Sequence, residues 1–495
     1  MGTELFLMSP LILISFVAIS AIVIDALFQK EKGIGYGYAL SGLIVVCAAS
    51  VLTLMRMPSV IYPHADEFVI SKGMLVFGGY SAIFDIIFCV AGILTVLASR
   101  PYLQREYKEH NEYYSLLLFS ISGMMLIGHA NNLLILFIGI EVMSIAFYVL
   151  SGFFRTNIGS VEASLKYFLL GAFATGFLVY GIALVYGATG SIEVVQISHF
   201  ILYVSNPPMY LMIGIGLIIV GLGFKIAAFP FHQWAPDVYQ GAPTVVTGFM
   251  STAGKAAGMV AFIVVARSFI PIFYSNDVKF DAEGVRIVLA VLSALTMLYG
   301  NIVALAQKNV KRMLAYSSIA HAGYMLMGIV AKTPHGWDAI VFYIITYLFM
   351  QLGAFVVISK VENKGENLEL SDFTGLGKTK PILAAMMAVF MFSLAGIPPF
   401  AGFFGKYYLF VAAIETGYLW LTIIAVIASV ISIYFYIGLI VQMYFKEAPE
   451  KEIETKTGGE TITLVISLVA LFVFGIFPSL LLNMIHKGFM IYLKF

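Results

Sequence analysis

The chain has 495 residues, 61% of them hydrophobic and 11% charged, with a formal net charge of +1 and a mean hydropathy of +0.96. A soluble domain carries about 25% charged residues, so this composition excludes an ordinary soluble protein, and the near-neutral balance supplies no field that would gather nucleic acid. The two cysteines, Cys47 and Cys89, lie in apolar runs without CxxC or Cys/His spacing, which argues against a disulfide framework, a zinc site or iron–sulfur ligation and leaves small apolar packing as their role.

Apolar stretches of about 18 to 25 residues recur along the chain, each near the length that crosses roughly 30 Å of hydrocarbon. The first, residues 6–28, has no basic region before it and is followed by Lys30 and Lys32, so it reads as a spanning helix that stays rather than a removable signal. The glycine-rich run at 33–37 is not followed by a phosphate-binding pattern and reads as a turn. Further segments fall at 36–55, 78–99, 113–130, 132–152, 162–188, 209–234, 241–266, 287–306, 313–331, 337–359, 382–412, 417–445 and 461–485, about fourteen in all. The expected fold is an all-α polytopic membrane protein. Loops after odd-numbered segments hold sixteen basic residues, Arg105, Lys311 and Lys360 among them, against eight on the other side, which places both termini on the outer (periplasmic) side of a cell membrane.

Four basic residues have no loop to occupy: Lys166, Lys225, Lys255 and Lys406. With Glu141 they put ionisable groups inside apolar segments, where each costs at least about 2.5–3.5 kcal/mol on insertion scales and therefore marks a site that moves charge. Pro230 interrupts the seventh segment and Pro398 and Pro399 the twelfth, and a helix-interior proline loses an amide donor and clashes with the preceding turn. Both helices are expected to break within the membrane, at corresponding places in two halves, which is the pattern of a transport site. The match is imperfect, because Lys225 precedes its break whereas Lys406 follows its own.

Each candidate has a plainer reading. Lys166, near the start of its segment, can snorkel to the interface, and Glu162 stands four residues before it in the favourable orientation for a helical ion pair. Glu141 can be a fixed partner of a lysine rather than a relay member. His232, beside Pro230, and His321 are candidates to pass protons near neutral pH. Asp25 and Asp85 read as interfacial carboxylates. The expected mechanism rests on desolvation and pairing: burial disfavours an ammonium, a nearby carboxylate favours it, and moving the carboxylate away releases a proton. A hydrated line through Glu141, Lys225, Lys255 and Lys406 would then carry protons between an inner and an outer half-channel.

The runs SVEASLKYFLLGAFATGFLVYGIALVYGATGS, FPFHQWAPDVYQGAPTVVTGFMSTAGKAAG, GNIVALAQKNVKRMLAYSSIAHAGYMLMG and SLAGIPPFAGFFGKYYLF resemble subunit N of the proton-pumping NADH-quinone oxidoreductases, an antiporter-like subunit of respiratory complex I, in the right order from about residue 110 to 445. The resemblance implies about 14 transmembrane helices and two inverted five-helix repeats, each with a proline-broken helix. It divides the chain into helices 1–3 (1–110), a first repeat of helices 4–8 (111–270), a second of helices 9–13 (271–446) and helix 14 (447–495). Carried over, the family's glutamate falls on Glu141 and its central lysines on Lys225, Lys255 and Lys406. The implied role is proton translocation in a translocase of the cell inner membrane, coupled to quinone reduction elsewhere. The chain itself is expected to hold no cofactor or metal, with flavin, iron–sulfur clusters and quinone in partner subunits of the membrane and peripheral arms. Sister subunit M typically has glutamate where this chain has Lys406, and subunit L carries a long C-terminal extension. The alternative is a subunit of a multisubunit sodium/proton antiporter, and a third reading is an assembly subunit whose buried charges only fix helix packing.

Overall fold

A computed structural model describes the chain except residues 1, 29–30, 32, 62–68, 71–73, 78, 205, 271–281, 363–367, 448–457 and 493–495. Of the loop lysines in the charge bias, Lys30, Lys32, Lys72, Lys279, Lys364, Lys451, Lys456 and Lys494 lie outside the described residues. The fold is almost entirely helical. In chain order come α1 (Gly2–Leu27), α2 (Ile34–Ile61), α3 (Gly79–Arg105), α4 (Glu112–His129), α5 (Leu133–Ser151), α6 (Ile158–Thr189), α7 (Val194–Tyr203), α8 (Met209–Lys225), α9 (Trp234–Gly241) and α10 (Thr244–Phe249). A π-helical turn, Met250–Gly254, joins α10 to α11 (Lys255–Phe269). Then follow α12 (Glu283–Leu305), α13 (Val310–Ala331), α14 (Pro334–Val361), α15 (Leu376–Thr379), α16 (Pro381–Ala395), α17 (Ala401–Glu415), α18 (Leu419–Phe445), α19 (Gly459–Ile476) and α20 (Pro478–Tyr492). A short antiparallel hairpin pairs Val69 with Val76 and Ile70 with Leu75.

Among the described residues eleven helices are long and apolar enough to cross a membrane. The other three expected segments coincide with α4, with α8 plus α9, and with α16 plus α17. Local chemistry starts the helices where expected: Asn132, Asn309 and Thr333 each accept from an amide of the first turn of α5, α13 and α14, and Pro334 opens α14 where no amide is needed. The hydropathic windows of α10–α11, α13 and α14 are wholly buried, whereas those of α1, α2, α6, α18 and α19 are only 28–39% buried and turn an apolar face outward. α14 is the central post, packing on α10, α13, α16, α17 and α19.

Several details depart from the sequence reading. Only Gly33, at φ 99°, serves as a turn, because α2 begins at Ile34. The interval after α6 holds an additional helix, α7, docked by the Leu133 amide on the Ile192 carbonyl and the Val194 amide on the Asn131 carbonyl. The last expected span is two helices that meet at Pro478. Asp85 is not interfacial: it is 1% exposed and paired with His129 at 3.0 Å. Lys311 and Lys360 are not solvated loop charges either, since each is buried against a carboxylate, Glu362 at 3.9 Å and Glu460 at 3.2 Å.

α5, which carries Glu141, lies backbone to backbone on α4. A Cβ added to Gly123 would stand 2.6 Å from the Met143 amide nitrogen and 2.7 Å from the Gly139 carbonyl oxygen, the small-residue contact that lets membrane helices approach closely. Gly123→Ala is expected to cost about 1–3 kcal/mol by overpacking. Gly216→Ala, whose methyl would meet nothing within 4 Å, should leave stability unchanged or raise it. Thermal unfolding of the purified protein in detergent distinguishes the two.

Candidate functional site

Two interrupted helices set the site. α8 ends at Lys225, and the chain runs without helix to Trp234 through Ala227 at φ 57° and Pro230. The loosened carbonyls of α8 find donors locally. The Ala227 amide bonds to the Phe224 carbonyl, the Ala228 amide to that of Gly223, and the Trp234 indole N–H to Phe224 O at 2.9 Å, while the Phe229 amide donates to Thr296 of α12 at 3.1 Å. Irregular backbone at this depth is tolerated because protein groups satisfy it. The second break runs from Gly396, at φ 84°, to Phe400, between α16 and α17, and contains Pro398 and Pro399.

Lys406, in the second turn of α17, folds back across this break. Its ammonium donates to the Ala395 carbonyl, the last residue of α16, at 3.0 Å and to Ser429 Oγ of α18 at 2.8 Å, and it lies 4.9 Å from the centre of the Tyr324 ring. Lys225 is itself the last residue of α8 and donates to Ser144 Oγ of α5 at 2.8 Å, with the Tyr148 ring 5.9 Å away. Each lysine is thus tied to the C-terminal, negative end of the half-helix before a break, Lys406 by its ammonium and Lys225 by its place in the chain. That equivalence resolves the mismatch in the sequence, because a side chain reaching back does for α16 what the terminal residue does for α8.

Lys255 follows the π-helical turn, a distortion common at functional positions, and donates to the Ser318 carbonyl of α13. Three residues on, His321 bridges two hydroxyls, Tyr343 at 2.6 Å from Nδ1 and Tyr436 at 3.0 Å from Nε2, and Tyr436 continues to Ser317 at 2.5 Å. Tyr324, one turn beyond, places its ring between His321 and Lys406 and its hydroxyl on Asn301. Lys225, Lys255, His321 and Lys406 are each 6% exposed or less. Among the described residues none of the three lysines makes an ion pair.

Glu141 stands one turn before Ser144 on α5 but does not reach Lys225; its carboxylate accepts from Thr175 of α6 at 2.8 Å and is half-buried. Glu141 therefore acts on Lys225 through space, while the ammonium's hydrogen-bond partner is the Ser144 hydroxyl. The hydroxyls of Tyr148, Ser318 and Tyr347 border the line and are buried without a hydrogen-bond partner among the described residues, the signature of positions that ordered water satisfies.

The remaining candidates separate from this line. Glu162 and Lys166 pair at 2.6 Å on the surface, and Lys166 also meets Asp237 at 2.8 Å, which in turn holds Arg312 at 2.6 Å. This network ties α6 and α13 to α9. His232 is buried at the first break, 4.5 Å from the Tyr299 ring and 5.6 Å from that of Phe229, with Nδ1 unpartnered among the described residues. Sequence reasoning did not find Ser144, Thr175, Tyr324, Tyr343, Tyr436 or Ser429, because a single hydroxyl in an apolar helix carries no periodic signal.

The model of the family described as "NADH:quinone oxidoreductase/Mrp antiporter, TM" matches residues 130–432, a stretch that includes Glu141, both breaks and all three lysines. A protein of Chloroherpeton thalassium named NADH-quinone oxidoreductase subunit N 1 is 44% identical over 475 residues, 96% of each chain. Among solved structures, a chain in that of respiratory complex I from Thermus thermophilus with bound aureothin superposes with a TM-score of 0.80 at 33% identity, covering 97% of this chain and 100% of that one. A chain of the Mrp complex from Dietzia sp. reaches 0.83 at 20% identity over 99% and 98%, a likeness of fold alone. On this match across nearly its whole length, the chain belongs to the NADH:quinone oxidoreductase/Mrp antiporter transmembrane family.

Proposed function

We propose that this chain is a proton-translocating membrane subunit of an NADH-quinone oxidoreductase, assembled with the other membrane and peripheral subunits of complex I. The observation that supports the reading is that three buried lysines are held by carbonyl and hydroxyl oxygens rather than by carboxylates. A carboxylate in contact would hold an ammonium charged, whereas neutral acceptors leave the amine free to exchange its proton with water. Successive ammoniums in a low-dielectric interior also repel one another strongly, so a proton arriving at one site drives the next away.

In this reading Glu141 and Thr175 take up or release charge at the α5–α6 face, and Lys225 passes it past Ser144. Lys255 and His321 relay it along α13, and Lys406 discharges it beside the second break. The imidazole of His321 is set between two tyrosine hydroxyls, and in its neutral form it would accept on one nitrogen and donate from the other. The chain crosses the membrane about fourteen times as two inverted five-helix repeats, 111–270 and 271–446, between an N-terminal unit (1–110) and a C-terminal one (447–495), with both termini outside. Flavin, iron–sulfur clusters and quinone belong to partner subunits, and their chemistry reaches this chain as conformational or electrostatic change. The sodium/proton antiporter reading shares the fold, but the higher identities lie with subunit N relatives. Copurification with flavin and iron–sulfur subunits separates the two.

Lys406→Ala and Glu141→Ala are each expected to lower proton transfer in reconstituted vesicles at least about tenfold, as removal of a general acid–base group does, with assembly intact. Normal pumping in both refutes the relay. Lys166→Ala removes only exposed pairs, worth about 0–1 kcal/mol, and should leave transport within about twofold of wild type; a collapse matching that of Lys225→Ala would move Lys166 into the relay. Gly396→Ala meets a left-handed φ of 84° and places a methyl 3.3 Å from Lys406 Nζ, whereas Gly417→Ala has the same backbone strain, φ 85°, with open space around it. The strain costs each about 1–2 kcal/mol. Only Gly396→Ala should slow proton uptake, and equal rates in the two would separate Lys406 from the turn.

A further inference from the structure

At the end of the bundle where α3 stops, a hollow of about 320 Å³ opens between the start of α4 and the end of α5. Its volume falls at the lower edge of the roughly 300–1,000 Å³ typical of small-molecule sites. Lys108, His110 and Arg155 line its rim, and Leu116 and Val149 line it one turn inside the apolar parts of α4 and α5. Lys108 is steadied on Thr156 Oγ1 at 3.2 Å, and the His110 ring rests edge-on to Phe153.

Among the described residues neither Lys108 nor Arg155 makes an ion pair, and the rim carboxylate, Glu112, pairs with neither. Neighbouring Glu109 is turned inward and committed to Arg100 and Gln104 at 3.2 and 3.0 Å. Glu112 lies instead near Asp25, which also faces His110, so the two cations without an ion pair, Lys108 and Arg155, form the basic side of the mouth, the complement of a phosphodiester. Val149 is 46% exposed, and Tyr107, 84% exposed, stands beside the rim, as an aromatic at a membrane interface does. The hollow thus combines a basic side, a polar wall and an apolar floor between the ends of two helices read as membrane-spanning.

We propose that this hollow binds the headgroup of an anionic phospholipid, with the phosphate between Lys108 and Arg155 and an acyl chain running down the Leu116–Val149 groove. Basic pockets between transmembrane helices recognise such headgroups, and each nearby Lys or Arg contributes about fivefold in affinity. The site is separate from the lysine line, so its test is independent of proton transfer.

The test titrates the delipidated full-length protein, in its assembly, with phosphatidylglycerol or phosphatidylcholine and reads bound lipid by native mass spectrometry. Wild type is expected to retain one phosphatidylglycerol more tightly than phosphatidylcholine. Lys108→Ala/Arg155→Ala should weaken that lipid about twenty-five-fold, and Arg155→Glu alone, a reversal on an exposed side chain, should abolish the preference. Lys308→Ala/Lys446→Ala, removing two exposed cations elsewhere, should change nothing. Equal retention of the two lipids by wild type overturns the proposal. So does an equal loss in the Lys308/Lys446 control. A photoreactive probe on Thr156→Cys that captures a partner polypeptide instead of lipid overturns it as well, by making the hollow a protein interface.

Discussion

A helix interrupted in hydrocarbon leaves carbonyls that only protein or water can satisfy, and a buried ammonium needs acceptors. In this molecule the two requirements meet at one place, twice. The Lys406 ammonium sits on the final carbonyl of α16, and Lys225 terminates α8 with its amine on the Ser144 hydroxyl. The partial negative charge of each half-helix end offsets part of the desolvation that a lysine otherwise suffers. Break and charge therefore depend on each other, and the three helices between them, α11, α13 and α14, need only carry polar groups at the right height.

The ionisable groups divide into two kinds by the chemistry of their partners. Toward the ends of the bundle the carboxylates hold polar partners: Arg105 and Lys360 lie on the fully buried Glu460 and Lys311 against Glu362, while the imidazoles of His129 and His486 bond to Asp85 and Asp338. In the buried pairs, attraction at low dielectric offsets the desolvation of both groups, and removing one partner leaves an uncompensated charge. They tie α19 to α3 and α14, α13 to the end of α14, and α20 to the start of α14. At the centre, lysines and His321 meet only hydroxyls, carbonyls and aromatic rings. The pairs tie helix ends together, while the central groups have neutral hydrogen-bond partners.

The wholly buried α13 and α14 make that centre precise. Ser317, Ser318, His321 and Tyr324 occupy successive positions on α13, and α14 presents Tyr343 to the same imidazole while α18 supplies Tyr436. Close packing around them leaves few alternative rotamers, so the hydroxyl partners of His321 are set by the scaffold. Glu141 differs: it lies on the half-exposed α5–α6 face, with Thr175 as its hydrogen-bond partner.

Hydropathy and proline placement by themselves determined the membrane class, the run of apolar helices, the interruptions around Pro230 and Pro398–Pro399, and the short roster of intramembrane charges. These are local or compositional properties, readable because a bilayer imposes length on apolar segments and penalises every charge within them. They did not determine partners. Lys311 and Lys360 read as loop charges and Asp85 as interfacial, because burial at a helix end depends on what packs over it. Whether Glu141 is a fixed partner of a lysine stayed open in the sequence; Thr175 holds its carboxylate, since helical rotation decides which neighbour it faces. The equivalence of Lys225 and Lys406, on opposite sides of their breaks in the chain, arises only when α17 folds back on α16. Contacts between residues distant in sequence obey three-dimensional packing, which no local pattern encodes.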